Sequence, residues 1–302
     1  MHAEPPRYVD GLPRPGRTLV MGVLNVTPDS FSDGGRYLDP ARALAHGRTL
    51  GAEGAALVDV GGESTRPGAS RPSPQEELDR VLPVVTTLAG EGVQVSVDTM
   101  RASVAREAVA AGAVLVNDVS GGLADDEMLP TVAGLAVPYV LMHWRAHAAH
   151  MQDRATYADV VADVSAELAA RLASAREAGV DLARVAVDPG IGFSKTAAQN
   201  WDVLAATERL HALGQPVLVA TSRKRFLGAL LADASGALRP PEGREDATTA
   251  TSALAAAAGA WCVRTHTVRA TLDAVLVAQR WALGAAGAGS RHQASGAGAA
   301  RG

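Results

Sequence analysis

Eight short apolar runs recur along the chain, and each leads into polar residues able to do chemistry. Leu19–Leu24 precedes Asn25. Ala55–Val60 carries Asp59 and leads to Glu63-Ser64-Thr65-Arg66. Val93–Val97 precedes Asp98, and Val114–Val116 precedes Asn117-Asp118. Val137–Met142 precedes His143, and Val185–Val187 precedes Asp188. Val217–Ala220 leads to Thr221-Ser222-Arg223-Lys224, and Trp261–Val263 to Arg264-Thr265-His266. The runs are rich in Val and Leu without strict alternation, as parallel strands buried on both faces require. Segments with helical spacing separate them. A strand–helix unit repeated eight times predicts an α/β fold, a single-domain (β/α)8 TIM barrel, with its active site at the C-terminal ends of the strands. A doubly wound open sheet is the alternative. It normally uses fewer strands and one Gly-rich phosphate turn after the first.

Helix signals support the repeat. Asp39-Pro40 opens Ala41–Leu50, and Ser73-Pro74-Gln75-Glu76 opens the next helix with Pro at its first position and acidic residues in the first turn. Arg101–Ala111, Ala197–Leu213 and Ala247–Ala258 each end at Gly, and Thr156–Ala178 reads as one long amphipathic helix ending at Gly179. Val268–Leu283 closes the set, and the segment near Asp126–Leu135 carries the weakest helix signal. Residues 1–16, with four prolines, read as an extended arm. Residues 17–284 form the barrel, and the Gly/Ala/Ser-rich residues 285–302 read as a disordered tail.

Composition excludes several classes. A net charge of -4 gives no general reason to bind nucleic acid or an anionic membrane. The single cysteine, Cys262, rules out an intramolecular disulfide framework and fits a reducing cytoplasm. No apolar stretch reaches the roughly 20 uncharged residues of a spanning helix, and the Pro-rich start lacks the apolar core of a secretory signal. No G-x-S-x-G, P-loop or dinucleotide fingerprint occurs.

Two groups of residues point to a site. Asp59, Asp98 and Asp188 lie in or just after apolar strands, where a carboxylate is costly unless paired. Several converging on one pocket suit a ligand with several N–H donors, such as a planar amino-heterocycle, and Asn117 suits a ring edge of mixed polarity. Capping of the barrel mouth is the structural alternative, strongest for Asp59 and Asp118. The second group is cationic: Arg66, Arg223, Lys224, Arg264, His266 and Arg269. Arg264 and His266 are two apart on the last strand and so share a side. Such a pair suits a phosphate or pyrophosphate, and Asn25 and Asp33 offer oxygens that could hold Mg2+ against it. Loops 27–37 and 61–74 combine Gly, Pro, hydroxyl and charged residues in the manner of active-site lids. His143, His147 and His150 have irregular spacing and no accompanying carboxylate pattern, which argues against zinc. Cys262, inside an apolar run, reads as packing. Trp201 and Phe226 read as core, and Phe193 as exposed at the site.

Met21-Gly-Val-Leu-Asn-Val-Thr-Pro-Asp-Ser-Phe-Ser-Asp-Gly-Gly35 and Asp59-Val-Gly-Gly-Glu-Ser-Thr-Arg-Pro-Gly68 resemble the two signature segments of the dihydropteroate synthase family. Val97-Asp-Thr, Asn117-Asp-Val-Ser-Gly-Gly, Asp188-Pro-Gly, Ser222-Arg-Lys and Arg264-Thr-His follow in that family's order, from about Leu19 to Leu283. The resemblance implies a transferase that joins 6-hydroxymethyl-7,8-dihydropterin pyrophosphate to p-aminobenzoate, releasing pyrophosphate, at the folate-pathway step blocked by sulfonamides. It implies a pterin site of Asp98, Asn117, Met142, Asp188, Lys224 and Arg264, with Arg264 along one ring face. Asn25, Arg264 and His266 would receive pyrophosphate, and Asn25 and Asp33 would hold Mg2+. Thr65, Arg66, Pro67, Phe193, Ser222 and Lys224 would form the p-aminobenzoate subsite. Asp98, Lys224, Arg264 and His266 would carry the chemistry, in a cytoplasmic homodimer formed through late-barrel helices. Ser194 stands where glycine is expected in many relatives, and Trp144–Arg154 matches no motif. The rivals are a silent pterin-binding paralogue, a pterin-dependent methyltransferase barrel, and a Schiff-base aldolase. The Arg264/His266 pair and the Asp59–Gly68 motif disfavour the methyltransferase, and the charged neighbours of Lys224 disfavour the aldolase.

Overall fold

The computed structural model describes residues 6–27, 40–63, 71–146 and 155–297, with side chains through 284. Eight parallel strands are present: β1 (Leu19–Asn25), β2 (Leu57–Gly61), β3 (Val95–Asp98), β4 (Leu115–Asp118), β5 (Tyr139–Met142), β6 (Val185–Asp188), β7 (Leu218–Val219) and β8 (Cys262–Thr265). Their order is β6-β5-β4-β3-β2-β1-β8-β7. The ring closes between β6 and β7 through a parallel bridge of Val187 with Val217 and a 2.9 Å bond from Val187 N to Pro216 O. This is the expected (β/α)8 barrel.

The helices are α1 (Pro40–Ala52), α2 (Pro74–Gly90), α3 (Ala102–Ala110), α4 (Met128–Leu135), α5 (Val160–Glu177), α6 (Ala197–Ala205), α7 (Thr207–Leu210), α8 (Arg225–Leu230), α9 (Glu245–Ala257) and α10 (Val268–Ala297). Ser73 and Glu76 form the capping box that starts α2, and Thr196 with Gln199 does the same for α6. The helices depart from the sequence pattern at three places. α5 begins at Val160 because Asp159 accepts from the amides of Val161 and Ala162 and so caps it there. The segment Ala197–Leu213 is broken into α6, α7 and a 3-10 turn, His211–Leu213. α10 runs on to Ala297, beyond the boundary at 284. Alanine has the highest helix propensity, so the scarcity of large apolar side chains does not stop the helix.

The register divides the barrel interior from its outer shell. Leu19 aligns with Cys262, Met21 with Leu57 and Arg264, Asp59 with Ser96, and Asp98 with Asn117. Because side chains alternate, one parity of each strand faces inward. Towards the N-terminal end, that parity packs Leu19, Met21, Leu57, Leu115, Val140, Ala186, Leu218 and Cys262 into one apolar cluster with Trp261. Val9 and Leu12 of the N-terminal arm join this cluster, and Asp10 N bonds Ala183 O at 2.9 Å. The arm therefore closes the barrel floor, each buried side chain contributing roughly 1.5–3 kcal/mol. Cys262 is buried there, and burial pushes its thiol pKa up, consistent with packing.

Candidate active site

Above this apolar floor the same inward parity carries polar residues. Continuing two residues at a time from the floor gives Asn25 on β1, Asp59 on β2, Asp98 on β3, Asn117 on β4, Met142 on β5, Asp188 on β6, Ser222 after β7, and Arg264 and His266 at the end of β8. One face of one barrel thus collects residues spread over more than two hundred positions of sequence.

Arg264 is the hub. Its Nε donates to Asp59 Oδ2 at 2.6 Å and its Nη2 to Asp98 Oδ2 at 2.8 Å. Asp59 Oδ2 also accepts from Asn117 Nδ2 at 2.9 Å. Two carboxylates on different strands therefore fix the guanidinium plane, and one of them fixes Asn117 as well. Burial disfavours the Arg264 cation, but Asp59 and then Asp98 outweigh it and hold its pKa above the usual arginine value. Burial pushes the Asp98 carboxyl up, to about 7. Arg264 pulls it back, while Asp59, Glu77 and Asp118 add to the rise. Arg264 thus favours the ionised form of Asp98 against burial and its carboxylate neighbours.

The opposite wall is built by β6 and the turn after β7. Asp188 is almost fully buried and accepts from Gly190 N at 2.7 Å. Burial raises its pKa, and Lys224 and the Gly190 amide oppose the rise. Lys224 Nζ donates to Ile191 O and lies 4.9 Å from the centroid of the half-buried Phe193 ring. Burial lowers the Lys224 pKa to about 8 against the pull of Asp188. Ser222 Oγ bonds His266 Nδ1 at 2.8 Å and accepts from His266 N at 3.1 Å. Arg223, at φ +59, is held in the left-handed region by its ion pair with Glu245 and by Arg244, whose Nη1 donates to Arg223 O. That turn aims Ser222 and Lys224 at the barrel axis. Met142 packs with Met100 and Val119 in a small cluster against which Trp144 and Phe193 lie.

The structure brings together Asn25, Asp98, Asn117, Met142, Asp188, Phe193, Ser222, Lys224, Arg264 and His266. Asp33, Thr65, Arg66 and Pro67 lie outside the described residues, as do His147 and His150. Asp118 is a loop cap, bonded to Ser120 N, Ser120 Oγ, Gly122 N and Tyr139 Oη at 2.6–2.7 Å. Asp59 is more than a cap, since it orients both Arg264 and Asn117. Trp201 and Phe226 pack edge-to-face, 4.8 Å between centroids, as core residues.

Sequence reasoning passed over two supports of the site. Glu77 is buried under the β2 loop, accepts from Thr99 Oγ1 at 2.6 Å and pairs with Arg101, which also reaches Glu63 at 3.1 Å. Lys195, His143 and Glu167 form a second network behind the β6 loop. Neither shows a motif. The one legible signal was Glu77, which falls on the apolar face of α2 with Val81, Val84, Val85 and Leu88.

A model of pterin-binding enzymes matches residues 21–266. The dihydropteroate synthase of Mycobacterium leprae is 58% identical over 263 residues, covering 87% of this chain and 93% of that protein. The chain belongs to the dihydropteroate synthase family. Among solved structures, the Xanthomonas albilineans dihydropteroate synthase with 4-aminobenzoic acid superposes with a TM-score of 0.80 at 46% identity, covering 87% of this chain and 93% of that one. The Yersinia pestis dihydropteroate synthase in a sulfonamide drug complex gives 0.83 at 39% identity, covering 90% and 98%. The family's members thus share this barrel over nearly its whole length, and the match ends at His266, the last residue of the polar layer.

Proposed function

We propose that this chain catalyses the family's reaction, joining 6-hydroxymethyl-7,8-dihydropterin pyrophosphate and p-aminobenzoate to give 7,8-dihydropteroate and pyrophosphate. The observation that carries the reading is the convergence of Asp98, Asn117, Asp188 and Arg264 on one inward layer, with the Ser222–His266 pair above it. The carboxylates and Asn117 face the N–H groups of a pterin edge, and the Asp-clamped Arg264 lies along the ring face. Arg264, His266 and Asn25 receive the pyrophosphate. Phe193, Ser222 and Lys224 form the arylamine subsite with Thr65, Arg66 and Pro67.

Mg2+ fits this arrangement. The half-buried Asn25 amide ends β1 at the inward position and makes no hydrogen bond among the described residues. Mg2+ needs only one or two protein oxygens when phosphates and water complete its octahedron. Asn25 and Asp33 would hold it, and it would neutralise charge on the departing pyrophosphate.

The chain's own residues then do the following. Arg264 and His266 stabilise negative charge as the carbon–oxygen bond to pyrophosphate breaks with its electron pair leaving on oxygen. The pterin methylene is left cationic, and the ionised Asp98 stabilises that charge. The p-aminobenzoate nitrogen, held against Phe193 and Lys224, attacks this carbon and loses one proton. Little acid–base work is required.

Exposed Leu230, Leu254, Val277 and Trp281 on α8, α9 and α10 support a homodimer through the late-barrel helices, checked by sedimentation velocity. Among the described residues no helix is long and apolar enough to cross a membrane, and with the single cysteine this supports a cytoplasmic enzyme.

The test is pyrophosphate release from dihydropterin pyrophosphate and Mg2+ with and without p-aminobenzoate. Release that depends on p-aminobenzoate and yields dihydropteroate is expected. Release independent of it would overturn the second-substrate assignment. Pterin binding without any release would favour the silent paralogue.

A further inference from the structure

The loop after β6, residues 189–196, carries Phe193 on the pocket side and is backed by groups the reaction does not use. Three of its residues are left-handed: Gly190 at φ +68, Gly192 at +82 and Ser194 at +47. Within the loop Phe193 N donates to Gly190 O at 3.0 Å, and side-chain bonds must hold the rest of the left-handed segment. Lys195, near the end of the loop, folds its side chain back to supply them. Its side chain turns inward, 3% exposed, and its ammonium bonds Gly190 O at 3.1 Å, Phe193 O at 3.2 Å and His143 Nδ1 at 3.1 Å. Three protons meet three acceptors, and the two carbonyls flank the turn that projects Phe193.

The direction of the third bond is also fixed. His143 Nε2 faces Glu167 Oε2 at 2.9 Å, and Glu167 is further tied to Arg145. A carboxylate at Nε2 places the imidazole proton there, which leaves Nδ1 as an acceptor for Lys195. Tyr157 completes the frame: its hydroxyl donates to Ser194 O at 2.9 Å, and the Arg145 guanidinium stacks 3.8 Å from its ring centroid. His143 N bonds Asp188 O at 2.8 Å, so the same frame borders the pterin wall. Opposite, Lys224 holds Ile191 O and faces the Phe193 ring. The loop is thus gripped by one lysine from the pocket and another from behind.

We infer that Lys195 is a positioning residue of the arylamine subsite, and that the Glu167–His143 pair sets it by presenting Nδ1 to its ammonium. Lys195 touches no reacting atom. It fixes the two carbonyls that determine where the Phe193 ring stands, and through Phe193 it fixes the second substrate. The inference rests on the functional reading above, because it needs p-aminobenzoate to be the molecule that meets Phe193.

The test is Lys195→Met, assayed for the KM of p-aminobenzoate and, separately, for binding of the dihydropterin pyrophosphate. The expected result is a KM for p-aminobenzoate raised roughly tenfold or more, the scale on which an ångström-level displacement of a binding group acts. Pterin affinity should fall several-fold less than the KM rises, because Asp98, Asn117 and Arg264 are held by other strands and only Asp188 feels the lost Lys195 charge. Amide exchange should speed up at residues 190–194 and not elsewhere. Glu167→Gln, half exposed and milder, should move the same KM in the same direction by a few fold, and it decides the matter if Lys195→Met does not fold. Equal losses for both substrates, or an unchanged KM in a folded variant, would overturn the inference. If the unmodified protein makes no dihydropteroate at all, the functional reading fails first and the subsite loses its occupant.

Discussion

Replacing Asp59 by Asn separates two effects that the wild-type site combines. Asp59 is completely buried, and its Oδ2 accepts from both Arg264 Nε and Asn117 Nδ2, while Oδ1 has no partner. An Asn amide can place its oxygen at the Oδ2 position and keep both bonds. The Arg264 bond then changes from charge-assisted, about 1.5–3 kcal/mol, to one nearer the neutral range of about 0.5–1.5 kcal/mol. A loss of about 1.4 kcal/mol in orienting Arg264 lowers kcat/KM for the pterin substrate about tenfold. The new amide nitrogen sits where Oδ1 had no partner, so a buried donor is left unsatisfied and stability falls by about 1–3 kcal/mol.

The second effect has the opposite sign for Asp98. In the wild type the negative charge of Asp59 helps raise the Asp98 carboxyl to about 7 and competes for the same guanidinium. Without that charge, ionised Asp98 has Arg264 to itself and its pKa falls. A carboxylate needed in its ionised form loses activity as pH drops through its pKa. The acid limb of kcat/KM should therefore lie at lower pH in Asp59→Asn, even though the plateau is lower. The assay is dihydropteroate formation from pH 5 to 9 for both proteins, with a thermal melt at each pH to exclude unfolding. An acid limb that stays in place or moves upward would refute the coupling of the two carboxylates through Arg264.

Other expectations follow from the same geometry. Ser194→Gly should stabilise the protein by about 1 kcal/mol. It removes a left-handed non-glycine residue worth about 1–2 kcal/mol and a buried hydroxyl without a partner, against the roughly 0.5–1 kcal/mol entropy cost of glycine. A Tm that falls would refute this. Asp188→Asn should abolish measurable pterin binding, because with its oxygen kept on Gly190 N the amide turns an NH2 donor, where the second carboxylate oxygen stood, toward the ring N–H groups, and an unchanged affinity in a binding titration would contradict it. Burial lowers the His143 pKa to about 4, below its ordinary 6.5, so from about pH 6.5 down to 4 the unfolded chain binds a proton that the fold does not. Stability should drop on the order of 3 kcal/mol across that window, and hydrogen bonding to His143 holds Glu167 down to about 2, which extends the loss below pH 4.5. His143→Gln should flatten the slope between pH 6.5 and 4 in urea titrations. An equally steep slope would show that His143 titrates normally.

The fold was legible because strand burial and strand-end chemistry repeat with the same unit eight times. All eight runs contain the observed strand or overlap it by all but a residue or two, and β7, Leu218–Val219, is the one much shorter than the run around it. The pterin and anion residues were legible because they fall at strand ends, where main-chain geometry alone sets their direction. Period-two counting on β8 already placed Arg264 with His266, and the same counting on β2 would have placed Asp59 beside Arg264. Lys195, His143 and Glu167 were not legible for a physical reason. Their contacts depend on a loop with three left-handed residues and on the rotation of α5, and neither leaves a periodic trace. The arm was read as extended because its prolines dominate locally, whereas its burial depends on Val9 and Leu12 meeting a floor assembled from seven strands.

The layering explains why this barrel tolerates so much buried charge. Asp59, Asp98 and Asp188 face Arg264, Lys224 and Lys195 in a layer resting directly on apolar side chains, where unpaired charges would each cost several kcal/mol. Pairing reduces that cost without removing it: burial still raises Asp98 and Asp188 and lowers Lys195 and Lys224, so each is less comfortable in its charged form than in water. A charged layer in this condition has unspent affinity for a polar ligand. A pterin edge bringing N–H donors to the carboxylates, or an anion meeting Arg264, relieves it, and the fold supplies the stability for this from elsewhere, through the apolar floor and the shell of Val and Leu between strands and helices. The polar layer is therefore destabilising for the empty protein and pre-set for its substrates. On this reasoning, saturating pterin should raise the Tm by more than the hydrophobic contacts of a ring that size would give.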